Sequence, residues 1–409
     1  MKSSSLSNLN SFLQLGYFLD FKPKDELFQD FDVDKSRYES SSHHELVHLG
    51  SSLILSAIEK NFAYNQKHLV PISGGMDSRA ILAALLQFTE AENIYTYTFG
   101  TPNTLDYDIG NEIAEHVGTK HNAFNLLKYQ YTLNELLDIS SRVQKQTVLF
   151  HHPPIHIIDS TYPDHIIWSG FMGDPITGSH LPTLPASSLE KAKESFIAKN
   201  IYVKSVDLRE HTESYFFDLI DYYGIQDISL EETLDFLNRQ TKFIAPHVLM
   251  KGYQYKLPFL DRDFVNFFLS VPSNFRKNQS LYIDILLNKF PELFSLRTKN
   301  NLGLPLRASK NRILRKRISN KAKSLIRHLW ASPPNLNINY LDFNRAIREK
   351  TDLKLLIITC IKELQHRKLI PWLNLEDLLN AHLNKEKDIA DALLVLTSLE
   401  IHLKAGKKI

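Results

Sequence analysis

Apolar positions in the first half of the chain switch between two periods. Short runs at 69–72, 94–99, 122–126 and 166–168 read as strands, and the stretches at 78–88, 107–117 and 132–145 carry helical spacing. Ahead of them, residues 46–62 put Leu49, Leu53, Ile54 and Ile58 on one side of a helix. Strand–helix alternation with short connections predicts an α/β fold built on a parallel, doubly wound sheet, with ligands at the C-terminal strand ends. Residues 1–43 are mixed and Ser-rich and read as an irregular extension. From Leu184 onward helical periodicity dominates, broken by PTLPASS at 182–188 and ASPPNLN at 331–337. In the basic segment 307–327, Leu314, Ile318, Ala322, Leu325 and Leu329 recur at helical spacing. That stripe is expected to face the core with a solvated basic side behind it. A contact with an anionic membrane surface or a polyanionic substrate is the alternative.

The first predicted strand runs directly into Ser73-Gly74-Gly75-Met76-Asp77-Ser78 and then a helix. A glycine pair between a buried strand and a helix N-terminus forms a pocket of backbone N–H groups, to which the helix dipole adds partial positive charge. Ser73 and Ser78 can donate to the same anion. Asp77 is the odd member, because a carboxylate beside phosphates implies an intervening Mg²⁺. No Walker A lysine pattern occurs, which argues against the usual γ-phosphate chemistry. The turn at 169–174, SGFMGD, falls at another predicted strand end, so the two turns are expected to share a site.

Composition narrows the picture modestly. The 409 residues are 43% hydrophobic and 23% charged, with a net charge of +2, which points to neither a general nucleic-acid binder nor an acidic solvating chain. The single Cys360 excludes an internal disulfide and a cysteine-based zinc site. No apolar run approaches the ~18–20 residues that span a bilayer, and the polar start MKSSSLSNLNSF lacks the apolar core of a secretory signal. The expected location is cytoplasmic, with no stable membrane insertion and no nucleic-acid partner.

SGGMDS at 73–78, TFGTPNTLDYD at 98–108, IAEHVGTKH at 113–121, SGFMGD at 169–174, LPFLD at 257–261 and RTK at 297–299 follow one another in an order that resembles the synthetase domain of asparagine synthetases. This is a PP-loop fold of the adenine nucleotide α-hydrolase-like type. The resemblance covers roughly residues 45–305 and implies three parts: an extension at 1–45, an ATP-pyrophosphatase domain at 46–305 and a mostly helical region at 306–409. It also implies an amide ligase that uses ATP and Mg²⁺: a carboxylate is joined to the α-phosphate as pyrophosphate leaves, and ammonia or an amine then displaces AMP. In that scheme SGGMDS holds pyrophosphate, Asp77 and Asp174 attend the Mg²⁺, and Lys299 neutralises charge on the α-phosphate. Ile72, Phe99 and Gly170 match positions lining the adenine and ribose pocket.

Plainer readings accompany these assignments. Asp77 is also a favoured helix N-cap, Asp174 an ordinary turn residue, Lys299 an exposed lysine in a polar loop, and Asp106 and Asp108 helix caps. LPFLD reads as structural, with Phe259 and Leu260 anchored in the core and Asp261 capping a helix from Arg262. The HHxxxH spacing of His151, His152 and His156 contains two prolines and no adjacent acid, which favours polar histidines near the site over a metal centre. Two departures from the family stand out. Phe171 occupies the position of a glutamate implicated in proton transfer, so a histidine of 151–156, Asp106 or Lys299 is a candidate replacement. The family's glutaminase nucleophile is a cysteine at the second residue, where this chain has Lys2. Free ammonia, a separate glutaminase subunit or an amine is therefore the expected nitrogen source, and the acyl substrate a small-molecule, sugar or peptide carboxylate. Another PP-loop activity, RNA-modifying or dinucleotide-forming, and a catalytically silent nucleotide-binding subunit are the competing functions.

Overall fold

The computed structural model describes residues 3–23, 27–28, 31–211, 216–225, 227–327 and 340–409. Five parallel strands form the central sheet: β1 (Lys67–Pro71), β2 (Ile94–Gly100), β3 (Lys120–Asn125), β4 (His165–Trp168) and β5 (Gln254–Lys256). Their order across the sheet is β3-β2-β1-β4-β5. Leu69 pairs with Tyr95 on one side and with Ile167 on the other, so β1 lies at the centre. The chain winds outward from β1 through β2 to β3 and then crosses to β4. The β1–β4 junction is therefore the switch point, where a crevice opens beyond the strand ends.

Alternate side chains along the strands serve two separate cores, as burial on both faces requires. Val70, Ile72 and Trp168 pack into one with α3 (Asp77–Leu85) and α4 (Leu105–Val117). Leu69, Tyr97 and Ile167 pack into the other, beneath α6 (Ile155–Thr161). Helix α2 (His43–Glu59) joins the first core and begins with a reciprocal cap between Ser42 and Glu45.

Several elements differ from expectation. The N-terminal stretch is not irregular: α1 (Ser3–Leu15) is a helix whose Leu9, Phe12 and Leu13 are buried with α5 (Leu133–Arg142) and the helices at 343–403. Leu49 points outward at 37% exposure, because α2 buries Leu46, Gly50, Ile54 and Ala57 instead. Strand β5 lies in a region read as helical, as do β6 (Arg297–Thr298) and β7 (Leu304–Pro305), an antiparallel pair. The basic helix Lys310–Arg327 forms, but Leu314 and Ile318 are 56% and 60% exposed, so its stripe does not face the core over the described side chains. The break expected at 331–337, with Leu329, lies outside the described residues, as do the side chains of 323–327, including Leu325.

Candidate nucleotide site at the switch point

The turn after β1 closes on itself. Ser78 Oγ accepts from the Ser73 N–H at 3.3 Å, and Ser73 Oγ accepts from the Gly75 N–H at 3.3 Å. Helix α3 starts at Asp77 behind Met76, and no side chain caps it. The capping role for Asp77 is thereby overturned. Its carboxylate instead accepts a hydrogen bond from Tyr282 Oη at 3.1 Å.

The turn after β4 is pressed against the first. Met172 adopts a left-handed conformation, φ +71°, and leads into the short helix α7 (Gly173–Thr177). A Cβ on Gly173 would lie 2.3–2.7 Å from the Asp77 carboxylate atoms, so only glycine permits this approach. Asp174 in α7 accepts from Gln279 Nε2 at 3.1 Å, and Gln279 also donates to Thr177 Oγ1 at 2.7 Å. Burial, and then the neighbouring Asp174 charge, pushes the Asp77 carboxyl well above the usual aspartate range.

A third segment is hooked onto the glycine turn. Gly74 O accepts the Lys299 backbone N–H at 2.9 Å and Thr298 Oγ1 at 3.2 Å. Lys299 Nζ pairs with Asp106 Oδ2 at 2.7 Å, at the start of α4. Behind it, Arg79 of α3 is fully buried and donates to the carbonyls of Leu293 (3.2 Å) and Arg297 (2.8 Å). Burial lowers the Arg79 guanidinium to about 10. Its helix sequence, RAILAALLQF at 79–88, is otherwise nearly all apolar, and a lone arginine in such a run is the one sequence feature that could have pointed to a tether. Asp108 accepts from the Asn103 N–H at 2.9 Å, and Asp261 caps the helix Arg262–Ser270 as expected.

Together these turns form one wall of a cavity of about 660 Å³. Ser73, Gly75, Asp77, Ser78, Asp174 and Lys299 line it, as do Phe99 and Gly170. Ile72 lies behind the wall in the core, and Gly74 is packed against Leu105 and Lys299. Phe171 borders the cavity but is only 5% exposed. His151, His152, His247 and Tyr253 also line it, with Arg239 and Gln240 from a π-helix, Asp235–Ile244. Helices of this type recur at functional sites, and nothing in the sequence signalled this one. Burial, reinforced by neighbouring imidazoles, lowers His151 to about 3 and His152 to about 4, so both are neutral. His156 is exposed and lies 3.8 Å from Asp138. At His180, burial opposes the charge, but the hydrogen bond and charge of Asp235, 2.9 Å away, hold the imidazole above its ordinary value.

The donor set suits a hard divalent cation. Asp77 and Asp174 are adjacent and repel each other, and no Lys or Arg pairs with either among the described residues. No third His, Cys, Asp or Glu joins them to complete an all-protein metal cluster among the described residues. Mg²⁺ characteristically takes one or two carboxylates and fills its remaining positions from water and substrate phosphates. Among the described residues, no helix is long and apolar enough to cross a membrane.

Comparison with known proteins converges on the same region. Residues 52–145, which contain β1, α3, β2, α4 and β3, match the family model described as Asparagine synthase. The chain is 25% identical to the glutamine-hydrolyzing asparagine synthetase of Bos taurus over 231 residues, 54% of this chain and 35% of the relative. The Homo sapiens enzyme is 25% identical over 234 residues, covering 55% and 36%. The Gallus gallus enzyme is 24% identical over 265 residues, covering 63% and 41%. The matched stretch thus spans little more than a third of these relatives' length. Sequence match and switch-point architecture agree that the chain carries an asparagine synthetase-like domain.

Proposed function

We propose that this protein is an ATP-dependent amide ligase that forms AMP and pyrophosphate. The observation that carries the reading is the meeting of three segments in one cavity wall: the SGGMDS turn, Asp174 beside Asp77, and Lys299 anchored on Gly74 O. ATP is the activating substrate. Ser73, Gly75 and Ser78 at the N-terminus of α3 bind its β- and γ-phosphates. Asp77 and Asp174 hold Mg²⁺, which supplies positive charge that offsets the phosphate oxygens.

A substrate carboxylate oxygen attacks the α-phosphorus, the α–β bridging bond breaks, and pyrophosphate leaves. Lys299 Nζ, positioned by Asp106, faces the negative charge that builds on the α-phosphate. Ammonia or an amine then attacks the acyl carbon of the mixed anhydride. The C–O bond to AMP breaks, an amide forms, and the nitrogen gives up one proton. Phe171 cannot accept that proton. His151 and His152 border the same cavity, but burial disfavours their charged form, so they suit contact with the acyl substrate better than acceptance of that proton. The acyl group occupies the histidine- and tyrosine-lined half. Phe99 and Gly170 border the adenosine, with Ile72 supporting them from behind.

The deciding experiment incubates the purified chain with ATP, Mg²⁺, a panel of small-molecule, sugar and peptide carboxylates, and ammonia or amines. A parallel arm adds a separate glutaminase with glutamine. AMP, pyrophosphate and a new amide are expected. ADP and phosphate would overturn the reading. Absence of both turnover and carboxylate-dependent ATP–pyrophosphate exchange would favour a silent nucleotide-binding subunit, and adenylation of RNA or of a second nucleotide would favour another PP-loop activity.

A further inference from the structure

The helix Lys310–Arg327 plays no part in the proposed chemistry, yet its surface is unusual. Its sequence, KNRILRKRISNKAKSLIR, carries eight Lys or Arg and no Asp or Glu. None of Lys310, Arg312, Arg315, Lys316, Arg317 or Lys321 forms an ion pair among the described residues. Leu314 and Ile318, one turn apart, stand 56% and 60% exposed, and Ala322 continues their line, also exposed. Lys310, Arg317 and Lys321 flank one edge and Arg315 the other.

Exposed cations alone would suit any polyanion. A nucleic acid gives no reason to present two large aliphatic side chains between the charges, whereas a lipid surface does. Anionic headgroups complement the flanking Lys and Arg, while the aliphatic stripe enters the acyl boundary beneath them. The absence of any acidic residue removes the repulsion that would oppose this placement. We propose that the helix Lys310–Arg327 docks the protein on anionic lipid bilayers by lying flat in the interface. The helix follows β7, which begins at Leu304, five positions beyond Lys299.

The test is co-sedimentation of the full chain with phosphatidylcholine vesicles with and without phosphatidylglycerol, at low and high NaCl. Binding is expected only with phosphatidylglycerol, weakening at high salt. The double variant Leu314→Asp, Ile318→Asp should bind at least about tenfold more weakly, the effect of removing the embedded aliphatic pair. Because both side chains are exposed, the variant should keep its circular dichroism spectrum and melting temperature. No binding to anionic vesicles would overturn the proposal, as would binding that the double variant retains in full. Tighter binding to duplex DNA or RNA than to the vesicles at the same salt would also overturn it, in favour of a nucleic-acid surface.

Discussion

Replacing Asp77 by Asn should stabilise the ligand-free protein while abolishing its use of ATP. Asp77 sits deep in the cavity against Asp174, and burial and that neighbouring charge both raise its carboxyl. A raised acid binds its proton more tightly in the fold than in the unfolded chain. Its contribution to stability is complete below the ordinary value of 3.8 and is lost as pH rises towards the folded value. While the folded carboxyl stays protonated, each pH unit above that point costs about 1.4 kcal/mol. Asparagine has the same shape, still accepts from Tyr282, and pays no such penalty. Its advantage should therefore be negligible near pH 4 and grow by up to about 2.7 kcal/mol between about pH 5 and pH 7. An unfolding entropy of about 2 cal/mol/K per residue makes that about 3 °C in Tm for a chain of this length. Differential scanning calorimetry at several pH values measures it directly. Mg²⁺ with ATP should raise the Tm of the parent, releasing a proton as it binds, and leave the Asn variant unmoved. A variant less stable than the parent throughout, or an advantage that does not change with pH, would refute the reasoning. Asp77 would then be an ionised, satisfied structural group.

Other perturbations probe the remaining parts. Gly173→Ala adds a Cβ that meets the Asp77 carboxylate at 2.3–2.7 Å, so ATP–pyrophosphate exchange should fall at least about tenfold while the melting temperature changes little. Lys299→Ala should lower kcat by about 10²–10³-fold with a much smaller change in the KM for ATP; equal losses in both would contradict a transition-state role. Arg79→Met removes donors to two buried carbonyls and should cost about 2–4 kcal/mol in chemical denaturation, with turnover falling as the Lys299 segment loosens. Phe171→Glu places a carboxylate at a position only 5% exposed, and is expected to lower Tm as pH rises; an unchanged Tm would mean that the glutamate reaches the cavity water.

What the sequence made legible follows the range of the forces involved. Strands β1 to β4 and helices α3, α4 and α5 are legible in local periodicity, whereas the seven-residue α6 is not, and SGGMDS announces its chemistry because a strand, a glycine pair and a helix start are contiguous. Strand β5 is not legible in the sequence because Gln254–Lys256 is three residues long and joins the sheet edge through pairing with β4 alone. Helix α1 was hidden by its serines and asparagines. Ser11 in fact donates to Asn8 O and accepts from Leu19 N–H inside the core, satisfying in the fold what looked like solvent-seeking chemistry. For the stripe that begins with Leu314 and Ile318, periodicity predicts a core-facing side, yet periodicity cannot say whether another element arrives to cover it.

The partners of the two carboxylates lay beyond local reading for a related reason. Tyr282 and Gln279 reach Asp77 and Asp174 across 205 and 105 positions of sequence. Both are neutral donors. They satisfy hydrogen-bonding capacity without cancelling charge, whereas the nearby Lys299 is committed to Asp106 and Arg79 to backbone carbonyls. A lysine placed beside Asp77 would pair with its carboxylate and would compete with a divalent cation for the same oxygens. The surrounding residues instead hold the two acids in position, and Asp77 meets the Asp174 charge by keeping its proton. Binding of a cation, and of the phosphates that complete its coordination, is the event that displaces it.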